Sequence, residues 1–515
     1  MYWQLQAEYF RQEGRSAWSS GAVPFRGTSN PFIAHVYAQI ILGFLHDFAR
    51  SDRKKSAQPV TILELGAGPG RFGFLLLRAL HQAIHQAGVG KLPRFQYVMT
   101  DLADANVQSW LTHPRLQPFF ESGMLDVATL DVAALDACRL YHSGHSLESC
   151  LGGAPVIVIA NYLFDVLVHD AFRVEAGKLH EVRVGLEQVE AETGHSDNPS
   201  TLFRQLRFRQ ENEPIELPYY VEAGFDAILN DYVSTLRSAT FLFPVVGLRC
   251  LERLRHWSGG CMLLMVSDKA RIRAEQLEGR TGLSMAFSGS LTTTVNLDAV
   301  ARWVGHRGGT TLAPLVPDKG FDTYLFGIGL PKEGRATRWA YQRHVVEFGP
   351  RAWLDLVSDA VRRTEPWSMK ALLAHLRLSH ADPELLVRLE EPLVTAMAEA
   401  GDQERAMLVH LLHQAWDNHF AIGAGGDPAF VIGRLLRRLK LPEQALHYYR
   451  LSQAERGAAP ACDLHMGLCW EMLGEHAQAI HHHRLALEAG QADSGVCAVA
   501  RKALLRLGAD PGADP

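Results

Sequence analysis

The residues with the clearest chemical potential lie between Val60 and Leu77, VTILELGAGPGRFGFLLL, where an apolar run meets Glu64 and then four glycines at 66, 68, 70 and 73. A strand that ends in such a turn lets main-chain atoms approach a ligand that side chains would hold away. The ligand is not marked as a phosphate. Counted from Gly66, a GxGxxG fingerprint would need glycine where Arg71 stands, and no lysine follows to complete a phosphate-cradling loop. Acidic residues recur after the next strand-like runs, at Asp101 in FQYVMTD and at Asp126 and Asp131 in SGMLDVATLD. APVIVIANYLFDVLVHDAFRV then sets Asn161, Tyr162 and Asp165 just past a fourth run. Each has an ordinary structural alternative. Asp101 suits a helix N-cap, Asn161 a strand-ending turn, and Asp165 the first turn of a helix, where a carboxylate meets the dipole.

The acidic-x-Gly-x-Gly-x-Gly pattern from Glu64 through Gly70 resembles motif I of class I S-adenosylmethionine-dependent methyltransferases. The resemblance implies a Rossmann-like α/β sheet with S-adenosyl-L-methionine held by Glu64, Gly66, Ala67, Gly68, Gly70, Asp101, Asp126 and Asn161. Glu64 would lie near the methionine end and Asp101 would take the ribose hydroxyls. Asp126 would take the adenine amino group, with Asp131 as its competitor. The fourth run, motif I and the N-terminal segment together are similar to the MidA family, which includes mitochondrial complex I assembly methyltransferases. The counterparts are Glu8-Tyr9-Phe10, Thr28-Ser29-Asn30, the stretch Ala160 to His169, and GSLTTTVNLDAVARWVGHRGG at 289–309. That likeness spans about residues 8–330. It implies transfer to a protein side chain, arginine being the acceptor linked to the family, with Asn161, Tyr162 and Asp165 as candidate catalytic residues. Two departures stand out: Tyr162 occupies the place of a family glutamate, and Ser267-Asp268-Lys269 replaces an acidic-tyrosine-glycine turn.

The elements that must position these residues follow from patterning. Strand-like runs at 60–65, 95–100, 156–160, 261–267 and 322–330 alternate with helical stretches, as parallel α/β sheets require. Residues 1–56 read as helical around the turn VPFRGTSNP, which the family resemblance implies folds over the pocket as a lid and which is otherwise an ordinary Pro/Gly turn before a surface helix. Residues 57–335 read as the sheet domain, with about 180–260 as an inserted cap. Beyond 335 the signals are helical: 336–425 is a helical region and 426–510 contains two matching segments. Gly433 and Gly467, Ala445 and Ala479, and Arg450 and Arg484 are each 34 residues apart, the period of tetratricopeptide repeats. A plain helical bundle is the competing reading.

Composition sets the outer limits. The 515 residues are 47% apolar and carry 51 basic against 56 acidic side chains, a net charge of −5. That balance leaves no nucleic-acid footprint. Seven cysteines without CxxC spacing speak for reduced thiols rather than a disulfide or zinc framework. The polar N-terminus lacks a leader's apolar core, and no run of about 18 uninterrupted apolar residues suggests a membrane span. The expectation is a cytoplasmic enzyme that meets a protein or peptide through its helical tail, with homodimer formation left open. No metal is expected. His481, His482 and His483 point about 100° apart on a helix, and LLRRLK at 435–440 reads as a solvated face. Tyr448 and Tyr449 read as packing. Two other functions remain: a non-catalytic scaffold with a degenerate methyltransferase domain, and a small-molecule methyltransferase.

Overall fold

The computed structural model describes all residues except 1, 15, 20–26, 52–57, 89–91, 189–205, 284, 288–290, 317–320, 424, 490–494 and 511–515. Residues 23–26 of the expected lid turn at 23–31 therefore lie outside the described residues. The chain divides into two compact units, Met1–Leu354 and Asp355–Pro515. Residues 335–354 belong to the first of these, so the break falls later than the expected 335.

In the first unit, apolar runs buried on both faces become the parallel core of a sheet, as their near-continuous hydrophobicity requires. These are β1 (Val60–Leu65), β2 (Phe95–Asp101), β3 (Leu125–Thr129) and β4 (Val156–Ile159). The chain then leaves the sheet for a four-stranded antiparallel cap, β5 (Asp170–Glu175), β6 (Lys178–Gln188), β7 (Leu206–Pro214) and β8 (Ser238–Phe243), in the order β7-β6-β5-β8. It re-enters as β9 (Met262–Asp268). The main sheet has the order Thr310–Leu312, Asp322–Ile328, β9, β4, β1, β2, β3, and the first two strands run antiparallel. The insertion opens at Asp170 rather than near 180 and its sheet closes at Phe243. Helix Val245–Trp257 leads back toward β9.

Strand order reverses between β1 and β4, and ligands bind open α/β sheets in the crevice beyond the carboxyl ends at such a point. Register sets its rim. Leu65 lies opposite Thr100, and Glu64 opposite Ile159. Gly66, Asp101 and Asn161 therefore emerge at one level.

Helices α1 (Tyr2–Glu13) and α2 (Ser16–Ser19) precede α3 (Pro31–Ala49). Although 1–56 was expected to be a lid throughout, α3 is a core helix: Ile33, Tyr37, Ile40, Ile41 and Phe44 have no exposed surface. Asn30 caps it, accepting from the Ile33 amide at 3.0 Å. At Gly43 the backbone of helix Arg335–Tyr341 comes so close that a Cβ would meet the Ala336 carbonyl at 2.8 Å. Asp47 caps that helix by accepting from the Ala336 and Thr337 amides at 3.0 and 2.9 Å. By length and composition α3 is apolar enough to cross a bilayer, and most of it is buried in this unit.

The second unit is helical. Pro428–Arg438 with Pro442–Arg456, and Pro460–Met472 with His476–Glu488, form two hairpins. Their close approaches are equivalent: a Cβ on Gly433 would meet the Tyr449 ring at 2.7 Å, and one on Gly467 the His483 ring at 2.5 Å. Ala445 and Ala479 are both fully buried. The three histidines have separate fates. His482 meets Asp463 at 3.1 Å, buried His483 meets Glu471 at 2.8 Å, and His481 faces outward.

Candidate active site

A cavity of about 560 Å³ opens at the carboxyl ends of β1, β2 and β4, within the roughly 300–1,000 Å³ usual for small-molecule and cofactor sites. Glu64, Gly66, Ala67, Gly68, Asp101, Asp131, Asn161, Tyr162 and Asp165 all line it. Gly70 and Asp126 do not.

The glycines divide the work. Gly66 (φ +68°) is exposed to the cavity, and a Cβ there would crowd only Leu163, at 3.1 Å. Gly68 (φ +56°) also lines the cavity, but a Cβ there would strike the Trp18 ring at 2.9 Å. Gly70 starts α4 (Arg71–Ala87) in a left-handed conformation, where a Cβ would collide with Trp110 at 2.6 Å. The expected role of Gly70 in cofactor binding is therefore corrected to close packing of the helix start. Main-chain approach to a ligand is left to Gly66 and its neighbours.

The carboxylates sort by what they already hold. Glu64 is buried and accepts from the Tyr97 hydroxyl at 2.9 Å. Burial raises its pKa to about 8, the Tyr97 hydrogen bond opposes the shift, and the Asp101 charge adds to it. Asp101 ties the turns together, accepting from the Gly68 amide at 2.8 Å, the Ala103 amide at 2.9 Å and Asn106 at 3.0 Å. Burial carries its pKa up to about 6 against those bonds. It is not the N-cap of α5 (Asp104–Leu111); that position is Ala103. A carboxylate has about four lone-pair sites, so Asp101 retains capacity for a hydroxyl donor.

Asp126, assigned to the adenine, is a structural residue. It accepts from the amides of Val127 (2.8 Å), His142 (2.9 Å) and Ser143 (3.0 Å), away from the cavity. Its competitor Asp131 is the acid that faces the cavity, exposed and 3.6 Å from Arg11 of α1.

Past β4, Asn161 is fixed by two donors on its Oδ1, the Tyr37 hydroxyl at 2.6 Å and the Ser267 amide at 2.9 Å. Tyr37 also shares a 2.7 Å hydrogen bond with the Ser267 hydroxyl. Asn161 is thus a positioned group, not merely a turn former, and its Nδ2 has no partner. Tyr162 adopts φ +47°, uncommon and strained for a residue with a side chain, and its ring lies 5.8 Å from that of Phe321. Asp165 sits in a three-residue 3₁₀ turn, Phe164–Val166, too short for a helix dipole to explain it. Burial raises its pKa while Lys269 pulls it down. Asp268 is likewise raised by burial and by the Asp165 charge. The two carboxyls and Tyr162 form one buried group, since both acids also raise the Tyr162 hydroxyl after burial itself.

Sequence reasoning missed Tyr37, Trp18, Ser29's role in the wall, and Asp268 as partner of Asp165. Only Tyr37 had a usable signal, a hydroxyl on the core face of an otherwise apolar helix. Trp3, Phe10 and Trp18 roof the cavity; Trp3 lies 5.4 Å from the His169 ring and Phe10 5.8 Å from Trp18.

Residues 42–237 match the model of a family described as "Putative S-adenosyl-L-methionine-dependent methyltransferase". The match covers less than half of the chain, and the cofactor that family names is S-adenosyl-L-methionine. No curated protein matches. Among solved structures, an uncharacterised protein from Burkholderia thailandensis is similar at 14% identity and a TM-score of 0.38, over 65% of this chain and 94% of its own. A structure from the same organism, of a member of the same superfamily bound to S-adenosyl-homocysteine, is similar at 14% identity and a TM-score of 0.34, over 61% and 78%. Such low scores carry no argument about this chain.

The wall suits that cofactor. Three residues of the cavity wall each carry a buried polar atom without a partner: Ser29 Oγ, Asn161 Nδ2 and Asp165 Oδ1. Native proteins rarely leave such atoms orphaned. Glu64, Asp101 and Asp131 in the wall offer acceptors to a ligand with an amino-acid end, sugar hydroxyls and an adenine, while Leu102, Leu130 and Val132 supply apolar surface for its base.

Proposed function

We propose that the chain is an S-adenosylmethionine-dependent methyltransferase acting on a nitrogen of a protein side chain. The observation that carries this reading is the meeting of Gly66, Asp101 and Asn161 on one rim above a cavity walled by Glu64, Asp131 and Asp165. When bound, S-adenosylmethionine supplies a methyl group on a sulfonium already activated toward attack. Glu64 and Asn161 would hold its amino-acid end, Asp101 the ribose and Asp131 the adenine edge.

The other end of the cavity, with Tyr162, Asp165 and Lys269, would receive the acceptor. A buried carboxyl pair attracts a cation and can take its proton as the N–CH3 bond forms and the S–CH3 bond breaks. Of the two carboxyls only Asp165 lines the cavity; Asp268, buried at the end of β9, would act on it from behind, in place of the family glutamate that Tyr162 replaces. The pair suits a guanidinium, the acceptor that the family resemblance suggests. The roof of α1 and α2 would exclude water. The tetratricopeptide-like hairpins would recruit the partner, a protein rather than nucleic acid or a membrane, in the cytoplasm. A non-catalytic role is the alternative. Trp18 lying on Gly68 favours it, because it narrows the approach to the turn.

The test is transfer of isotope-labelled methyl from S-adenosylmethionine to proteins of cells lacking this chain. The reading expects labelled protein with the wild type, and with Asp165→Asn a loss of labelling while cofactor binding persists. Binding without any transfer would favour the scaffold, and label only in small molecules would move the acceptor.

A further inference from the structure

The second unit carries a basic face that its neighbouring acids neutralise only in part. On helix Pro428–Arg438, Phe430, Arg434, Arg437 and Arg438 recur at helical spacing and share one side. Helix Pro460–Met472 brings His465 against them. Its ring stacks on Tyr449 at 5.7 Å and lies 5.4 Å from Phe430. Arg434 is held by Glu390 at 3.0 Å and Glu391 at 3.5 Å. Among the described residues, Arg437 and Arg438 have no carboxylate within ion-pair distance. Arg437 Nε and His465 Nδ1 are buried there without hydrogen-bond partners, and the Arg437 guanidinium also faces the Tyr449 hydroxyl. Burial, then the charges of Arg437, Arg434 and Arg438, push His465 down to about 3, so its ring is neutral and adds no repulsion of its own.

We propose that this face docks an acidic peptide segment of the protein partner, its carboxylates taken by Arg437 and Arg438 beside the Phe430 and His465 rings. Arginine's planar fork matches a carboxylate with two parallel hydrogen bonds. A peptide is favoured over nucleic acid because Glu390 and Glu391 flank the cluster, and a long polyanion passing the arginines would meet them. The chain's net charge of −5 likewise offers no extended basic track. The proposal rests on the second unit being the recruiting part of the methyltransferase.

Fluorescence anisotropy tests it on the full chain, with a short fluorescein-labelled Glu-Ala peptide, its Lys-Ala counterpart and a labelled single-stranded oligonucleotide. Saturable binding of the Glu-Ala peptide alone is expected, weakening with salt. Arg437→Gln with Arg438→Gln should loosen it on the order of tenfold or more. Arg438→Gln alone, at an exposed position, should loosen it measurably without disturbing the fold. The proposal is overturned if the Glu-Ala peptide does not bind, if the double variant binds it as well as wild type does, or if the oligonucleotide binds more tightly. Thermal shift by S-adenosylhomocysteine on the same samples reports the cavity of the first unit separately. Peptide binding without that shift would support the docking face while removing the methyltransferase reading.

Discussion

Titrating S-adenosylhomocysteine into the chain at pH 6 and pH 8 examines Glu64 directly. Its folded pKa of about 8 means that the ligand-free carboxyl is mostly protonated at neutral pH. A ligand ammonium placed beside it favours the carboxylate, so binding should expel close to one proton below pH 8. Affinity then rises with pH and levels off above 8. For one coupled proton and a free pKa of about 8, the dissociation constant should fall about fiftyfold between pH 6 and pH 8. Calorimetry in buffers of different ionisation enthalpy counts the proton. Glu64→Gln keeps an acceptor for Tyr97 and cannot titrate; it should bind more weakly at pH 8 and show a nearly flat profile. The same shift acts on folding. Between pH 4.5 and about 8 the folded chain retains a proton that the unfolded chain has lost, so ligand-free stability declines as pH rises. The decline is at most about 1.4 kcal/mol per pH unit from this group. A wild-type affinity equal at both pH values, or a slope that survives in Glu64→Gln, would refute the reasoning.

The two aspartates after β2 should separate cleanly. Asp126→Ala removes the acceptor of three amides and should cost roughly 2–4 kcal/mol of stability by chemical denaturation, with little change in ligand affinity once folded. Asp131→Ala should leave stability within about 0.5 kcal/mol and weaken S-adenosylhomocysteine binding in the same titration. Tyr37→Phe strips one of two donors from Asn161, which would hold the cofactor's amino-acid end, and should weaken S-adenosylhomocysteine binding severalfold in the same titration. In the second unit, Gly467→Ala drives a methyl into the His483 ring and should cost roughly 1–3 kcal/mol, with the loss confined to the second unit in hydrogen exchange.

Much of the first unit was legible. Parallel strands buried on both faces are continuous apolar runs, so β1, β2, β4 and β9 stood out, and the turn after β1 marked the cavity's floor. The rest depended on distances in space. Asp126 and Asp131 lie in one short segment and are equivalent on paper, but only the fold shows that Asp126 points to the 142–143 amides and Asp131 to the cavity. Asp268 lies 103 positions from Asp165 along the chain, and no periodicity pairs them; parallel pairing of β4 with β9 does. The glycines misled because two different needs call for the same residue. Gly66 opens onto the cavity, whereas Gly70 makes room for Trp110 and Gly68 for Trp18. α3 misled for the opposite reason: its turn and amphipathic look suggested a cover, and its nearly continuous apolar surface belongs to the core.

The account depends on the crevice above β1 being a binding site for a sulfonium nucleoside and its demethylated product. Isothermal titration of S-adenosylhomocysteine into the full chain at pH 8 asks this with the fewest assumptions. One saturable site per chain, weakened by Asp131→Ala, is the expected result. No heat and no thermal shift at millimolar ligand would mean that Trp18 and its neighbours close this space for structural ends, and the proposed chemistry would fall with it.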